Sequence, residues 1–301
     1  MKKELAEGIV TCLRSGFYTI QAGPDSFTCS IRGRLKRGPA GADRVAIGDR
    51  VMIDPAEATI EEVLERHTSL VRLAPTPRGL YKQVLLANAD QVLMVFACAH
   101  PDPHLRMLDR FLVICEKQGI SPVIVANKAD LVSPEAAEAL FGRYAAIGYP
   151  LHYTSARSGQ GMEAFSLLLK DKLTALAGPS GAGKSSLLNA VQPDLGAAVS
   201  EVSMATERGR HTTVVRQLYS LRMGGYVADL PGLKSLALWD TQPEELDGYF
   251  PELRHLVDQC QFNDCSHQNE PGCAVRQAVA EGRVHPERYD SYLRMRLGRE
   301  K

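Results

Sequence analysis

No stretch of this chain is apolar for long enough to cross a bilayer. The longest such run, VLMVFACA at residues 92–99, falls far short of the roughly 20 residues that a spanning helix needs. The N-terminal MKKELAEGIVTC carries two lysines but no apolar core of a secretory leader, so a cytoplasmic protein without membrane contact is expected. Excess charge is also missing. Lys and Arg number 35 and Asp and Glu 35, for a formal net charge of zero, which excludes coating of nucleic acid by bulk attraction and confines any RNA contact to local patches. Repeats and low-complexity tracts are absent. Seven cysteines are an odd number and do not form a regular disulfide framework. Four of them, Cys12, Cys29, Cys98 and Cys115, sit among apolar or strand-like neighbours and read as core fillers.

What is present is an ordinary globular composition, 45% hydrophobic and 23% charged over 301 residues, too long for a single core and suited to two or three compact units. Residues 1–72 hold short β-rich runs, GIVTCL, GFYTIQA, SFTCSIRG and RVAIGDRVMI, between turn signals. They predict a small OB-type barrel that binds RNA, with an SH3-like barrel as the open alternative. Residues 73–235 change texture. The runs QVLMVFACA, SPVIVANKAD, YPLHYTSA and KLTALAGPSG are continuous, apolar and mostly followed by helix-like segments, which predicts a largely parallel α/β sheet that binds ligands at the carboxyl ends of its strands. Residues 236–301 read as a small helical unit around a cysteine cluster, too small for a large core and suited to a metal staple.

The loop Gly178-Pro179-Ser180-Gly181-Ala182-Gly183-Lys184-Ser185 matches G-x-x-x-x-G-K-[ST] between a strand-like LTALA and a helix-like SSLLNAV that starts at Ser185-Ser186. Its glycines let backbone N–H groups converge on phosphates, Lys184 reaches the β- and γ-phosphates, and the Ser185 hydroxyl ligates Mg²⁺. Asn127-Lys128-Ala129-Asp130 names the base. A carboxylate at Asp130 accepts from both N1–H and the N2 amine of guanine, whereas adenine offers a lone pair at N1 and no amine. Asn127 is expected at the purine edge and Lys128 along the ring plane. The turn at Ser155-Ala156 should give a backbone N–H to guanine O6.

Asp229-Leu230-Pro231-Gly232 matches D-x-x-G, with Asp229 expected to hold Mg²⁺ and the Gly232 N–H to sense the γ-phosphate. Between the two phosphate motifs, ATERGRHTTVVRQL has the polar, threonine-rich texture of a switch; Thr213, or else Thr212, would close on Mg²⁺ and the γ-phosphate. Leu233 stands where many GTPases place a water-orienting glutamine. Hydrolysis should therefore be slow in isolation and lean on another group: His211, a partner, or both. Cys260, Cys265, His267 and Cys273 supply three thiolates and an imidazole, a closed tetrahedral set for one structural Zn²⁺.

In this order, NKAD, TSARSGQG, GPSGAGKSSLLNA, GRHTT, DLPG and the Cys-Cys-His-Cys cluster resemble the circularly permuted, ribosome small-subunit-dependent GTPases, over nearly the whole chain. The resemblance implies an OB barrel, a permuted GTPase domain and a zinc-containing helical domain; a monomer is the default expectation. It implies a factor that binds the small ribosomal subunit and its rRNA late in assembly, hydrolyses GTP to GDP faster there and then leaves. It also implies a catalytic role for His211. DLPG replaces the usual D-T-P-G, and Val214 stands where a third threonine commonly follows HTT. Reopening the chain after Gly232 would join the γ-phosphate sensor directly to the zinc unit. Basic residues for rRNA are expected at Arg32, Arg34, Lys36 and Arg37, and at Arg283, Arg288, Arg294, Arg296, Arg299 and Lys301. Competing readings are a P-loop ATPase or kinase, which leaves Asp130 idle, a permuted GTPase of the large subunit, and a GTP-binding RNA scaffold with little hydrolysis.

Overall fold

The computed structural model describes residues 4–32, 43–76, 79–193, 195–196, 216–229 and 241–299. Five strands build the first unit: β1 (Ala6–Arg14), β2 (Phe17–Ala22), β3 (Asp25–Ile31), β4 (Arg50–Asp54) and β5 (Thr59–Val63). They run in the order β1-β2-β3-β5-β4, and β4 pairs back onto β1 to close the ring. The β3–β5 pairing is parallel and the others antiparallel, so this is the expected OB-type barrel. Inward-facing Val10, Ile20, Cys29, Val51, Ile53 and Ile60 fill it.

A hairpin of β6 (Ser69–Thr76) and β7 (Gly79–Ala87) follows as a separate two-stranded sheet. The expected boundary at residues 72/73 falls inside its first strand. Backbone bonds tie its end to the barrel, with Ala87 N–H donating to Ile47 O at 2.9 Å.

The second unit contains β8 (Gln91–Ala97), α1 (Leu105–Gln118), β9 (Ser121–Asn127), α2 (Pro134–Ile147), β10 (Leu151–Thr154), α3 (Met162–Leu169), β11 (Leu173–Ala177), α4 (Lys184–Val191), β12 (Arg216–Gln217), β13 (Tyr219–Ser220) and β14 (Tyr226–Asp229). The sheet order is β10-β9-β8-β11-β14-β13, parallel except at β13. Strands β8 and β11 are buried along their whole length because helices cover both faces. Met94, Phe96, Ala175 and Ala177 point into one core with Leu108, Phe111, Phe141 and Tyr144 of α1 and α2. The alternate residues Leu93, Val95 and Leu176 point into the other with Phe165, Leu169, Leu187 and Leu188 of α3 and α4. The short β12 leaves this unit and pairs antiparallel with β1, Cys12 opposite Gln217 and Leu13 opposite Arg216, so the barrel sheet gains a strand from its neighbour.

The third unit is helical: α5 (Pro251–Arg254), α6 (Ala274–Ala280) and α7 (Pro286–Arg296), with a 3₁₀ segment before α5 (Pro243–Tyr249) and a shorter one after it (Val257–Gln259). Leu246, Phe250, Leu253, Val275 and Tyr292 form its core together with Val113 from α1. Arg288 of α7 is fully buried at the seam. Its Nη1 donates to Asp109 of α1 at 2.8 Å and its Nε to Glu252 at 2.7 Å, and its guanidinium carbon stands 4.6 Å from the centre of the Phe250 ring. Burial alone would lower the Arg288 pKa, but Asp109 and Glu252 more than reverse that, and it rises.

Candidate nucleotide site and metal centre

The base, phosphate and D-x-x-G strings all leave the carboxyl edge of the sheet: Asn127 ends β9, Thr154-Ser155 follows β10, Gly178 follows β11 and Asp229 ends β14. Since β11 lies centrally, between β8 and β14, chain order places no limit on which loops meet around it. They do meet. Asn127 Nδ2 donates to the carbonyl of Ala182 in the phosphate loop at 2.8 Å, and Thr154 Oγ1 donates to Asn127 Oδ1 at 3.2 Å. The purine-edge role expected of Asn127 is thus joined by a second one, as the strut that holds the base loop to the phosphate loop.

Glycine is required where these loops approach. A Cβ on Gly183, whose φ is +95°, would lie 2.3 Å from Asn127 Nδ2, and one on Gly178, with φ +139°, would lie 2.0 Å from Val95 O. Lys184 Nζ reaches back across the loop to Gly178 O at 2.9 Å and Pro179 O at 3.2 Å. Lys128 takes a left-handed φ of 58°, and its ammonium donates to His100 O. Asp130 is exposed, with its carboxylate open to a ligand. The Ser155 N–H is committed to Gln160 O at 2.9 Å.

Burial raises the pKa of the half-buried Asp229, and Lys184 partly offsets the rise. A Ser hydroxyl and a carboxylate are the hard oxygen donors that Mg²⁺ takes, so Ser185 and Asp229 fit that ion. His211, Thr212, Thr213 and Gly232 lie outside the described residues. Behind the base loop, burial first and then Asp130 push the Cys98 thiol up to about 11. That thiol is protonated and inert at neutral pH, in keeping with a core role.

The ligand atoms of Cys260, Cys265, His267 and Cys273 all lie within 4.8 Å of one another. His267 Nδ1 is 3.6 Å from Cys260 Sγ and 3.4 Å from Cys273 Sγ. Metal bonds of about 2.3 Å to sulfur and 2.0–2.1 Å to nitrogen at a tetrahedral angle give an edge of about 3.6 Å, so the four residues fit Zn²⁺. The imidazole turns its other nitrogen, Nε2, to Asp247 Oδ2 at 3.2 Å. Nothing in the sequence marks Asp247, 20 positions upstream in a 3₁₀ turn; only the fold brings it to the histidine. Such a carboxylate fixes the tautomer and ring orientation of a ligand histidine. Asp247→Ala is expected to lower zinc affinity by about 10–100-fold, measured by competition with a chelating dye.

The basic tail needs a correction. Arg288 cannot reach RNA, because it is buried between Asp109 and Glu252. Arg32 is engaged by both carboxylate oxygens of Glu61, and Arg296 Nη1 donates to Pro243 O at 2.5 Å. Arg34, Lys36, Arg37 and Lys301 lie outside the described residues.

A central phosphate loop strutted to a base loop that precedes it in the chain, set between a closed OB barrel and a Cys₃His helical unit, defines a circularly permuted P-loop GTPase. Sequence and structure comparisons agree. The sequence pattern of the RsgA GTPase family matches residues 63–239. A Gemmatimonas aurantiaca protein named small ribosomal subunit biogenesis GTPase RsgA is 49% identical over 283 residues, 93% of this chain and 92% of its own. One of the same name from Moorella thermoacetica is 42% identical over 95% of each. The crystal structure of YjeQ from Thermotoga maritima superposes with a TM-score of 0.80 at 34% identity, covering 98% of this chain and 99% of that one. YloQ, described as a circularly permuted GTPase, gives 0.73 at 31%, covering 99% and 96%. The chain belongs to the RsgA GTPase family and is a GTP hydrolase.

Proposed function

We propose that this GTPase binds the small ribosomal subunit late in its maturation, hydrolyses GTP to GDP and phosphate faster on that subunit, and is released by the hydrolysis. The 2.8 Å bond from Asn127 to Ala182 carries the nucleotide part of this reading, since it brings together the two loops that one guanosine triphosphate bound to both Asp130 and Lys184 would have to reach. Relatives matched over more than nine-tenths of the chain and named for small-subunit biogenesis support the partner.

In the bound state, Asp130 accepts from N1–H and N2 of guanine. With Ser155 N–H already occupied, the O6 donor is assigned to Ala156. The backbone of residues 178–186 cradles the phosphates, and Lys184 turns from its loop carbonyls to the β- and γ-oxygens. Ser185, Asp229 and Thr213, or else Thr212, would hold Mg²⁺, which would supply charge neutralisation to the phosphates. Gly232 reads the γ-phosphate. With leucine at 233, the attacking water is oriented by His211, by a group of the subunit, or by both. Residues 1–72, 73–235 and 236–301 act as barrel, GTPase and zinc units of a cytoplasmic monomer.

GTP turnover should rise by at least an order of magnitude with purified small subunits and stay flat with large ones, while ATP fails to compete. Stimulation by large subunits alone would overturn the assignment.

A further inference from the structure

Between the first turns of α1 and one face of α7 lies an open cleft of about 530 Å³, as large as a typical ligand pocket of roughly 300–1,000 Å³. The GTPase unit contributes His104, Arg106 and Arg110, and the zinc unit contributes Arg294 and Arg299. The acids along it are largely committed elsewhere. Asp109 accepts from Arg288, Tyr144 and Ser291 at 2.8, 2.8 and 2.5 Å, and Glu287 is held by Arg143. Asp290 answers both Arg106 Nη2 at 3.2 Å and Arg294 Nε at 2.8 Å. Those two guanidiniums stay 68% and 41% exposed, ordered by a shared carboxylate, with Glu287 also within electrostatic reach of Arg106. The first turn of α1 holds no acidic residue.

We propose that this cleft seats the phosphodiester backbone of RNA, as a contact surface separate from the barrel and from the nucleotide site. The inference rests on the small-subunit reading above. Guanidinium forks match phosphate oxygens two at a time, and arginines drawn from two units around one trough suit a continuous backbone better than a single small anion. The position also has a consequence for hydrolysis. The loop leading into α1 touches both ends of the nucleotide site: His100 O accepts from Lys128, and Pro101 Cδ lies 3.4 Å from where a Cβ on Gly181 would stand. RNA pressed against the start of α1 therefore bears on the base loop and the phosphate loop together.

The test is the full-length Arg106→Gln/Arg299→Gln double variant, probed with purified small ribosomal subunits and, independently, with a short RNA duplex. GTP affinity and subunit-free turnover should match the unmodified protein. Affinity for both probes should fall by about tenfold or more, and the slope of log K against log salt should shrink by about 0.9 for each phosphate that the variant no longer neutralises. With Arg299 replaced by the photo-crosslinker p-benzoylphenylalanine, the crosslink should land on rRNA. Unchanged affinity and slope on the duplex, or crosslinks that reach only ribosomal proteins, would overturn the cleft as an RNA site. An unmodified protein that ignores small subunits yet binds the duplex through these arginines would defeat the functional reading and leave the cleft standing.

Discussion

Asp130→Asn should weaken GTP binding by about 10²–10³-fold and turn the preference of the site toward xanthosine triphosphate. In the proposed site the carboxylate accepts two hydrogen bonds from guanine, at N1–H and at the N2 amine. Bonds to a charged group contribute about 1.5–3 kcal/mol each and neutral ones about 0.5–1.5; asparagine keeps a neutral bond from N1–H, losing about 1–1.5 kcal/mol there, and loses the bond from N2 outright, for a total of about 2.5–4.5 kcal/mol at 1.4 kcal/mol per tenfold. Asparagine also sets an NH₂ donor against the donor N2, which is worse than an empty position. Xanthine carries a carbonyl there, and the same amide NH₂ then donates to it. Because Asp130 is exposed, the substitution should leave the fold alone, and thermal unfolding without nucleotide should not move. Equilibrium titrations with GTP, xanthosine triphosphate and ATP decide the matter. Undiminished GTP affinity would mean that the base is read elsewhere, and the single-site geometry drawn from Asn127 and Ala182 would fall with it.

The strings proposed to bind nucleotide were legible because each is a local device: a glycine-rich turn before a helix, or a carboxylate at the end of an apolar strand. Their shared location followed from the rule that parallel sheets bind at strand carboxyl ends. The barrel was legible too, from short strands between turn signals. What escaped is what depends on distant partners. Arg288 reads as one more charge in a basic tail, yet its partners Asp109 and Glu252 lie 179 and 36 positions away. Asp247 sits in an ordinary acidic stretch until His267 is folded against it. The strand β12 has two residues, too few for any periodicity, and yet it pins the GTPase unit to the barrel. The hairpin Ser69–Ala87 reads as the join between two units, and only the pairing shows that it forms a sheet of its own.

Arg288→Ala should cost about 3–5 kcal/mol, the penalty for removing one partner of a buried ionic group and leaving the others uncompensated. Here two carboxylates, Asp109 and Glu252, would face each other in a seam that is closed to water, and the stacking of the guanidinium over Phe250 would go with it. Arg288→Lys keeps the charge but cannot serve both carboxylates in their planes, and should fall between the two. The chain has three units, so a single melting temperature is a poor gauge; hydrogen exchange along α1 and α7 reads the seam directly, and zinc content should hold. The same energy bears on how nucleotide state could move the zinc unit through Gly232. A ligand shifts an equilibrium only by its differential affinity for the two states, so GTP would have to favour one state by more than this seam to part α7 from α1. The zinc unit is therefore expected to travel with α1 as one body, with the Asp109–Arg288 bond intact in both nucleotide states. Exchange protection at α7 that changes between GDP and a GTP analogue in the unmodified protein would refute that, whereas protection lost only in Arg288→Ala would bear it out.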